Sequence, residues 1–159
     1  MYKNYIKRIL DVVISLICIV VLIPFYILIS LVVLLKMGRP VLFSQERIGK
    51  GEKTFRLYKF RSMTNAKDRN GNLLEEEKRL TKTGIFLRSS SLDELPEFFS
   101  ILKGDMSLVG PRPLPTYYGP YFRNEERKRH MVKGGLIPPD SLSPVSYTHL
   151  RAHETLRHL

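Results

Sequence analysis

The chain is poor in residues that form cross-links or processing sites. Cys18 is the single cysteine among 159 residues, so no disulfide framework can form within one chain, which fits a reducing compartment. No alanine precedes Ala66, so no Ala-x-Ala cleavage site follows the first apolar run. That run is also longer than an ordinary signal-peptide core. We interpret it as a retained anchor rather than a cleaved signal.

Charged residues are absent from residues 12–35, and a helix of that length would measure about 36 Å, enough to cross a bilayer. Pro24 stands at the middle and costs roughly 3 kcal/mol in a regular helix, so we expect a break there. Both flanks are basic, and the positive-inside tendency therefore favours the cytoplasmic side for both ends: Lys3, Lys7 and Arg8 before the run, Lys36 and Arg39 after it. We predict a helix that enters the membrane and returns; a kinked spanning helix is the alternative.

Acidic residues are scarce relative to basic ones, and the formal net charge is +11. Residues 36–69 contain ten basic and three acidic residues, so +7 of this charge directly follows the apolar run. A basic block beside a membrane segment favours anionic lipid head groups on the cytoplasmic face. Nucleic acid is another polyanion. The chain has no zinc-finger spacing and no RNA-binding fingerprint, so we expect no nucleic-acid partner.

The part after the anchor is predicted to be a small, mostly helical α+β domain without internal repeats. Residues 41–44 and 54–60 carry β-forming apolar patterns separated by Gly49 and Gly51, which predicts a short β-hairpin. Residues 65–72 have the composition of a loop.

The best predicted helix of this domain covers residues 91–103 and ends at Gly104. Its apolar residues fall on one face: Leu92, Leu95, Phe98, Phe99 and Leu102. Residues 75–79 predict a charged helical turn, and residues 106–109 form a short apolar segment. Residues 124–133 are basic and predict a helix on a membrane surface.

Asp93 and Glu94 stand in the first turn of that helix, where free N–H groups and the helix dipole create a positive field. Ser91 and Glu94 also match a capping box, which needs no catalytic role. Arg88 lies just upstream, and Arg112 is held in a Gly-Pro-Arg-Pro turn. Carboxylates that bind Mg²⁺ and guanidinium groups that bind phosphate are the parts needed for phosphoryl chemistry on a diphosphate.

Three sequence blocks together resemble the bacterial sugar transferases, the monotopic polyprenyl-phosphate phosphoglycosyl transferases. The resemblance extends from about Tyr5 to Arg112. The blocks are Lys-Phe-Arg-Ser-Met at 59–63, Leu-Arg-Ser-Ser-Ser-Leu-Asp-Glu-Leu-Pro-Glu at 87–97, and Leu-Lys-Gly-Asp-Met-Ser-Leu-Val-Gly-Pro-Arg-Pro at 102–113. Their length, order and spacing make the match specific.

The resemblance implies a role for each matched residue. Asp93 corresponds to a nucleophile that forms a phospho-aspartyl intermediate and binds Mg²⁺, and Glu94 to its partner in Mg²⁺ placement or proton handling. Arg88 and Arg112 correspond to phosphate-binding arginines, and Lys59 to a basic position of the substrate site.

The activity implied is transfer of a sugar-1-phosphate from a nucleotide diphosphate sugar, with uridine expected, to polyprenyl (undecaprenyl) phosphate. Such a step initiates exopolysaccharide, capsule or glycan assembly. The location implied is the bacterial inner (cytoplasmic) membrane, with a re-entrant anchor and the catalytic head on the cytoplasmic face.

The chain departs from the family at three places. Ile23 precedes Pro24 where the family has serine, and residues 134–139 read Gly-Gly-Leu-Ile-Pro-Pro where Pro-Gly-Leu-Thr-Gly is common. After residue 145 the resemblance is lost. We therefore expect an anchor at 1–38, an incomplete catalytic domain at 39–145 and a non-native tail at 146–159. That tail contains three residues at a spacing typical of metal ligands: His149, His153 and Glu154. Because they lie in the tail, we reject them as a metal site.

Two other functional classes remain as alternatives. A non-catalytic membrane-anchored module that binds anionic lipids would explain the charge and the anchor but not the three ordered blocks. A metal-dependent nucleotide-sugar glycosyltransferase usually needs an Asp-x-Asp site, and this chain contains none.

Overall fold

The computed structural model describes residues 2–139, with side chains from residue 5 onward. It begins with two apolar helices, α1 (Tyr2–Val21) and α2 (Ile23–Met37), which meet at Leu22 with a bend of 62°. Pro24 lies in the first turn of α2, where its missing N–H has no helical partner to lose. The predicted break is confirmed. No single helix of the described residues is long and apolar enough to cross a membrane, and the bent pair meets that measure only when both helices are taken together, by length and composition alone.

A β-hairpin follows, as predicted, with β1 at Leu42–Ile48 and β2 at Thr54–Phe60. The strands are antiparallel, with Leu42 opposite Phe60 and Ile48 opposite Thr54. Strand β1 is longer than the predicted segment at 41–44. The prediction stops at Ser44 because the three residues that follow it are polar and show no apolar alternation. The mixed α+β class is confirmed.

Two short helices lead from the hairpin to the site. The charged turn α3 (Glu76–Arg79) agrees with the prediction, whereas α4 (Lys82–Ser89) was missed because Gly84 weakens its helical propensity. A Cβ at Gly84 would lie 1.8 Å from the carbonyl oxygen of Ser62. The glycine therefore lets α4 lie directly against the chain that leaves β2.

The predicted continuous helix at 91–103 is wrong. A 3-10 turn at Leu92–Glu94 is followed by a separate helix, α5 (Glu97–Lys103), with Pro96 as the residue before it. Ser91 has a left-handed backbone with φ of 56° and makes no capping hydrogen bond, so the predicted capping box does not form. Proline lacks the N–H that a continuous helix would need at this position. Gly104 does end α5, with φ of 102°.

The described chain ends on a two-stranded parallel sheet. Its strands are β3 (Ser107–Val109) and β4 (Gly135–Ile137), joined by 3-10 segments at Thr116–Tyr121 and Glu126–Met131. The basic helix predicted at 124–133 is thus a shorter 3-10 segment, because its charged residues provide no continuous apolar face. The tail residues His149, His153 and Glu154 lie outside the described residues.

Two apolar clusters hold the fold together. Helix α2 packs on the hairpin and α4 through the first cluster, and α5 packs on β2 through the second. The first comprises Ile29, Val33, Met37, Phe60 and Leu87, and the second Leu57, Ile101 and Met106.

The start of the apolar pair is fixed to the rest of the fold by polar contacts. Arg8 donates to the carbonyl oxygens of Ile101 at 2.6 Å and Leu102 at 2.7 Å, which lie in the last turn of α5. The buried Asp11 carboxylate accepts hydrogen bonds from Ser107 Oγ at 2.8 Å and from the Leu108 N–H at 2.9 Å. Helix α1 is therefore joined to α5 and β3 before its fully apolar part begins.

Candidate active site

Glu94 is the centre of a charged cluster between β2, the 3-10 turn and the Gly-Pro-Arg-Pro segment. Lys59 Nζ lies 2.6 Å from Glu94 Oε1, and Arg112 donates to the same oxygen. Burial alone would raise the pKa of Glu94, but the hydrogen bond from Lys59 and the charges of Lys59 and Arg112 outweigh it and lower that pKa. Glu94 is therefore a carboxylate at neutral pH, and it holds two cations in fixed positions.

Asp93 lies beside this cluster and is only 8% exposed. Burial raises the pKa of its carboxyl, the positive charges of Lys59 and Arg88 oppose that change, and the charge of Glu94 adds to it. Within the described residues no cationic side chain lies within 4 Å of its oxygens. Asp93 thus sits in a positive field without being bound in an ion pair.

Arg88 approaches Asp93 from the end of α4. Its Nε donates to Ser62 Oγ at 2.9 Å, and this hydrogen bond holds the guanidinium group against the segment that follows β2. The close approach that Gly84 permits brings α4 to Ser62 in the first place. The structure therefore brings together all five residues predicted from the sequence, while their catalytic and binding roles remain predictions.

Glu97 is a member of the cluster to which sequence reasoning assigned no role. It begins α5, is 4% exposed and has its Oε1 3.2 Å from Lys59 Nζ. Burial raises the pKa of Glu97 to about 7, with Lys59 opposing the shift and Glu94 adding to it. Its place three residues after Glu94 in the same sequence block was the available signal, although that spacing does not report its burial.

The three acidic side chains consequently differ in proton affinity although they surround one lysine. Glu94 has a lowered pKa, whereas the pKa values of Asp93 and Glu97 are raised. Carboxyl groups whose surroundings separate their pKa values are typical of sites where one acts as an ion and another carries a proton.

A small cavity of about 230 Å³ opens beside Glu94. Its walls are mainly apolar and come from the site turn, α5 and β4: Ser91, Glu94, Leu95, Phe98, Leu136 and Ile137. The segment 134–139, which departs from the family pattern, therefore contributes to the wall of the candidate site through Leu136 and Ile137.

The donor set fits Mg²⁺ only in an arrangement that uses few protein ligands. Among the described residues no group of three or more His, Cys, Asp or Glu side chains is placed to hold a metal ion. The Oε1 atom of Glu94 is already paired with Lys59 and Arg112. Mg²⁺ is commonly bound by one or two carboxylates together with substrate phosphates, and Asp93, which lies outside those ion pairs, fits such a site.

Comparison with known proteins gives the chain a family. The family model described as bacterial sugar transferase matches residues 2–157, so the match extends beyond residue 145, where the resemblance was expected to end, and the non-native tail stays a prediction. An uncharacterized sugar transferase, EpsL, of Bacillus subtilis is 54% identical over 105 residues, which cover 66% of this chain and 52% of that protein. A putative undecaprenyl-phosphate N-acetylgalactosaminyl 1-phosphate transferase of the same organism is 39% identical over 122 residues, covering 76% of this chain and 68% of that protein.

A more distant relative extends the same comparison. The UDP-glucose:undecaprenyl-phosphate glucose-1-phosphate transferase of Klebsiella pneumoniae is 38% identical over 136 residues, or 82% of this chain and 29% of that protein. The chain thus spans about half the length of EpsL and under a third of the Klebsiella enzyme.

Proposed function

Because the chain belongs to the bacterial sugar transferase family, we propose that it transfers a sugar-1-phosphate from a uridine diphosphate sugar to undecaprenyl phosphate. The relatives' names support the two substrates, since they include transferases of N-acetylgalactosamine-1-phosphate and glucose-1-phosphate to that lipid. Names that refer to exopolysaccharide production support a role in starting such polymers. The single observation that carries the proposal is the buried Asp93 carboxylate, placed beside Lys59, Glu94 and Arg88 without an ion pair of its own.

The first step uses Asp93 as the nucleophile. Its carboxylate oxygen attacks the phosphorus atom that bears the sugar, a new P–O bond forms, and the bond to the bridging oxygen of the diphosphate breaks. The nucleoside monophosphate leaves with that electron pair, and the sugar phosphate stays on Asp93. The raised pKa of Asp93 makes the carboxylate more basic than an ordinary one, which favours nucleophilic attack.

The cations of the cluster act on the charge of the diphosphate. Arg88 and Arg112 present planar guanidinium groups that suit phosphate oxygens, and Lys59 adds a third positive charge. Glu94 keeps Lys59 and Arg112 in position before the substrate arrives, so little reorganisation is needed during the reaction. Mg²⁺ bound at Asp93 would supply further neutralisation of the diphosphate oxygens.

The second step returns Asp93 to its starting state. A phosphate oxygen of the lipid acceptor attacks the phosphorus on Asp93, the P–O bond to the carboxylate breaks, and a lipid diphosphate sugar is formed. Both half-reactions use the same site, and the nucleotide leaves before the lipid reacts. Ping-pong kinetics are therefore expected.

The membrane arrangement is part of the same proposal. The bent pair of α1 and α2 supports a re-entrant anchor in the bacterial inner membrane, and the basic flanks favour the cytoplasmic face for both ends. Lys36 lies in the last turn of the second helix and Arg39 follows that helix, and both would meet anionic lipid head groups. The substrates then meet where the soluble donor and the lipid acceptor are both accessible.

Release of nucleoside monophosphate from a panel of uridine diphosphate sugars, with and without undecaprenyl phosphate, tests this function. Asp93→Asn keeps the shape but removes the nucleophile, and we expect a loss of several orders of magnitude in rate. Asp105→Asn is the matched control, because that acid pairs with the exposed Lys103 outside the cluster. Near-normal turnover by Asp93→Asn would refute the covalent mechanism. Lipid binding without nucleotide release by the wild type would favour the non-catalytic basic module.

A further inference from the structure

The Gly-Pro-Arg-Pro segment that carries Arg112 belongs to no helix or strand, and its backbone is fixed by neighbouring elements instead. Each of the four consecutive carbonyl oxygens of residues 111–114 accepts a hydrogen bond from β4, from the 3-10 segment Glu126–Met131 or from β1. The pairs, donor first, are the Gly135 N–H to Pro111 at 3.0 Å, Arg129 Nη2 to Arg112 at 3.0 Å, Arg47 Nη1 to Pro113 at 3.1 Å and the Ile48 N–H to Leu114 at 2.9 Å. These four donors therefore set the direction in which the Arg112 side chain leaves the backbone.

One of these donors, Arg47, lies on the same face of the hairpin as Lys59. Arg47 of β1 is opposite Phe55 of β2, and directly opposed residues of antiparallel strands point to the same face. Lys59 follows Phe55 by four residues, and side chains alternate along a strand, so it shares that face. Because Lys59 contacts Glu94 and Glu97, this is the face that is turned toward the charged cluster. Arg47 is thus a further cation beside the cluster, and the sequence blocks gave it no role.

Both arms of the Arg47 guanidinium group are engaged. Nη1 donates to the Pro113 carbonyl oxygen, and Nη2 donates at 2.7 Å to Oε1 of Gln45, two residues earlier on the same strand. A planar fork with both ends bound has little freedom to turn. It therefore transmits the position of β1 to the segment that carries Arg112.

A charged side chain at this place is electrostatically costly. Burial and then the like charge of Arg112 lower the pKa of Arg47, and the negative charges of Glu97 and Glu94 offset only part of that effect. The buried Nε of Arg47 makes no hydrogen bond within residues 5–139, the part of the chain whose side chains the structure describes. A neutral donor would avoid the desolvation of a charge here. The charged fork is therefore better explained by a role in the site than by stability.

From these contacts we propose that Arg47 is a positioning residue for Arg112 and acts through the Pro113 carbonyl. The proposal rests on the proposed function, in which Arg112 neutralises charge on the donor diphosphate. The Arg112 side chain is 51% exposed and uses Nη2 for Glu94, so its remaining donors point where the backbone directs them. Arg47 touches no substrate in this assignment. It keeps Arg112 in place before the diphosphate binds, which removes the need to reorganise during the reaction.

A double-mutant cycle between Arg47 and Arg112 tests this role. It uses Arg47→Ala, Arg112→Ala and the double variant, and it compares kcat/KM for nucleotide release and the affinity for uridine diphosphate. We expect Arg47→Ala to lower kcat/KM about ten- to a hundredfold, because a misplacement of about 1 Å can cost about 100-fold. In the Arg112→Ala background the same change should cost less than about twofold, since the group that it positions is gone. The loss of unfolding free energy caused by Arg47→Ala should persist in both backgrounds, because the same two hydrogen bonds are broken in each.

Two further variants separate position from charge. Arg47→Lys keeps the positive charge but replaces the fork by a single ammonium group, so we expect a loss close to that of Arg47→Ala. Arg56→Ala removes an exposed arginine from the opposite face of the same hairpin and should resemble the wild type. The Ile48 N–H still holds the Leu114 carbonyl in every variant, so the hairpin and the segment stay joined.

The outcomes separate the positioning role from the proposed function. Equal fold losses for Arg47→Ala with and without Arg112 would overturn the positioning role, because Arg47 would then act independently. Wild-type kcat/KM in Arg47→Lys would also overturn it, since charge alone would be sufficient. A wild type that binds uridine diphosphate but releases no nucleotide would refute the proposed function. The cycle would then be judged on affinity, where additive losses would overturn the role of Arg47 as well.

Discussion

At the scale of single residues, the notable feature is that one lysine is shared by carboxyl groups with different proton affinities. Lys59 contacts Glu94 and Glu97, yet the pKa of Glu94 is lowered and that of Glu97 is raised to about 7. The difference follows from Arg112, which pairs with Glu94 only, and from the deeper burial of Glu97. At neutral pH Glu97 is thus poised between its two charge states.

Glu97→Gln tests this protonation through stability. Since the native pKa of about 7 exceeds the ordinary 4.5, the native state holds the proton more tightly than the unfolded chain between these values. The stability contributed by this group is complete below pH 4.5 and is lost as the pH rises through 7. Relative to the wild type, the glutamine variant should gain up to about 3 kcal/mol in free energy of unfolding across this range. Denaturant unfolding at several pH values measures it.

The matched control for Glu97→Gln is Glu75→Gln, since Glu75 is largely exposed and pairs with an exposed Lys78. That variant should follow the wild-type pH dependence throughout. Parallel pH profiles for Glu97→Gln and the wild type would show that Glu97 titrates normally.

The residues of the cluster could be predicted from the sequence to different degrees. Asp93 and Glu94 stand in an ordered motif, and Arg88 and Arg112 lie at a spacing typical of the family. The sequence alone was therefore enough to predict that these four residues form one site. Glu97 is adjacent to the same motif, but its burial depends on how α5 packs against β2, and no local pattern reports that contact.

At the scale of elements, the approach of α4 to the chain after β2 sets the position of Arg88. The sequence does not predict this helix, because Gly84 is unfavourable for helices. The structure shows why a glycine is needed there: a side chain at this position would collide with the Ser62 carbonyl oxygen. In contrast, the helix predicted at 91–103 divides at Pro96, and the left-handed Ser91 turns the short segment with Asp93 toward Lys59. Periodicity placed Phe99 on the buried face and left Ile101 out of it, whereas Phe99 is 50% exposed and Ile101 is fully buried, and periodicity could not identify the break.

Gly84→Ala should therefore be destabilising although alanine is the better helix former. The new Cβ would meet the Ser62 carbonyl at 1.8 Å, so α4 must move, and overpacking of this kind costs about 1–3 kcal/mol. Gly119→Ala serves as the control because its Cβ would make an ordinary 3.5 Å contact with Ile48. Thermal unfolding of both variants measures the difference, and a Gly84→Ala protein as stable as Gly119→Ala would contradict the close approach.

The polar contacts of α1 give a second prediction at this scale. Asp11→Ala leaves the buried Ser107 hydroxyl and the Leu108 N–H without their acceptor, and we expect a loss of about 1–3 kcal/mol for each group left unpaired. Lys7→Ala, which removes one exposed hydrogen bond to the Val109 carbonyl, should cost much less. Chemical unfolding followed by circular dichroism distinguishes the two. Equal, small losses would mean that α1 is not held by Asp11.

At the scale of the whole molecule, the proposed topology places residue 2 and the hairpin-bearing part on one side of the membrane. Cysteines introduced at Tyr2 and at Asn70, in a Cys18→Ser background, should be equally protected from an impermeant thiol reagent in intact cells. The basic residues at both ends of the bent pair give the physical reason. Labelling at Tyr2 alone would establish a spanning segment and exclude re-entry.

The contacts of Asp11 also have a consequence for the order of synthesis. Its partners Ser107 and Leu108 lie 96 and 97 residues later in the chain. At a translation rate of about 5–20 residues per second, roughly 5 to 20 seconds pass between the emergence of Asp11 and that of its partners. During that interval the apolar segment leaves the ribosome with a carboxylate whose two hydrogen-bond donors have not yet been synthesised. The first helix can therefore reach its final packed position only after β3 has been synthesised. It docks late although it is synthesised first.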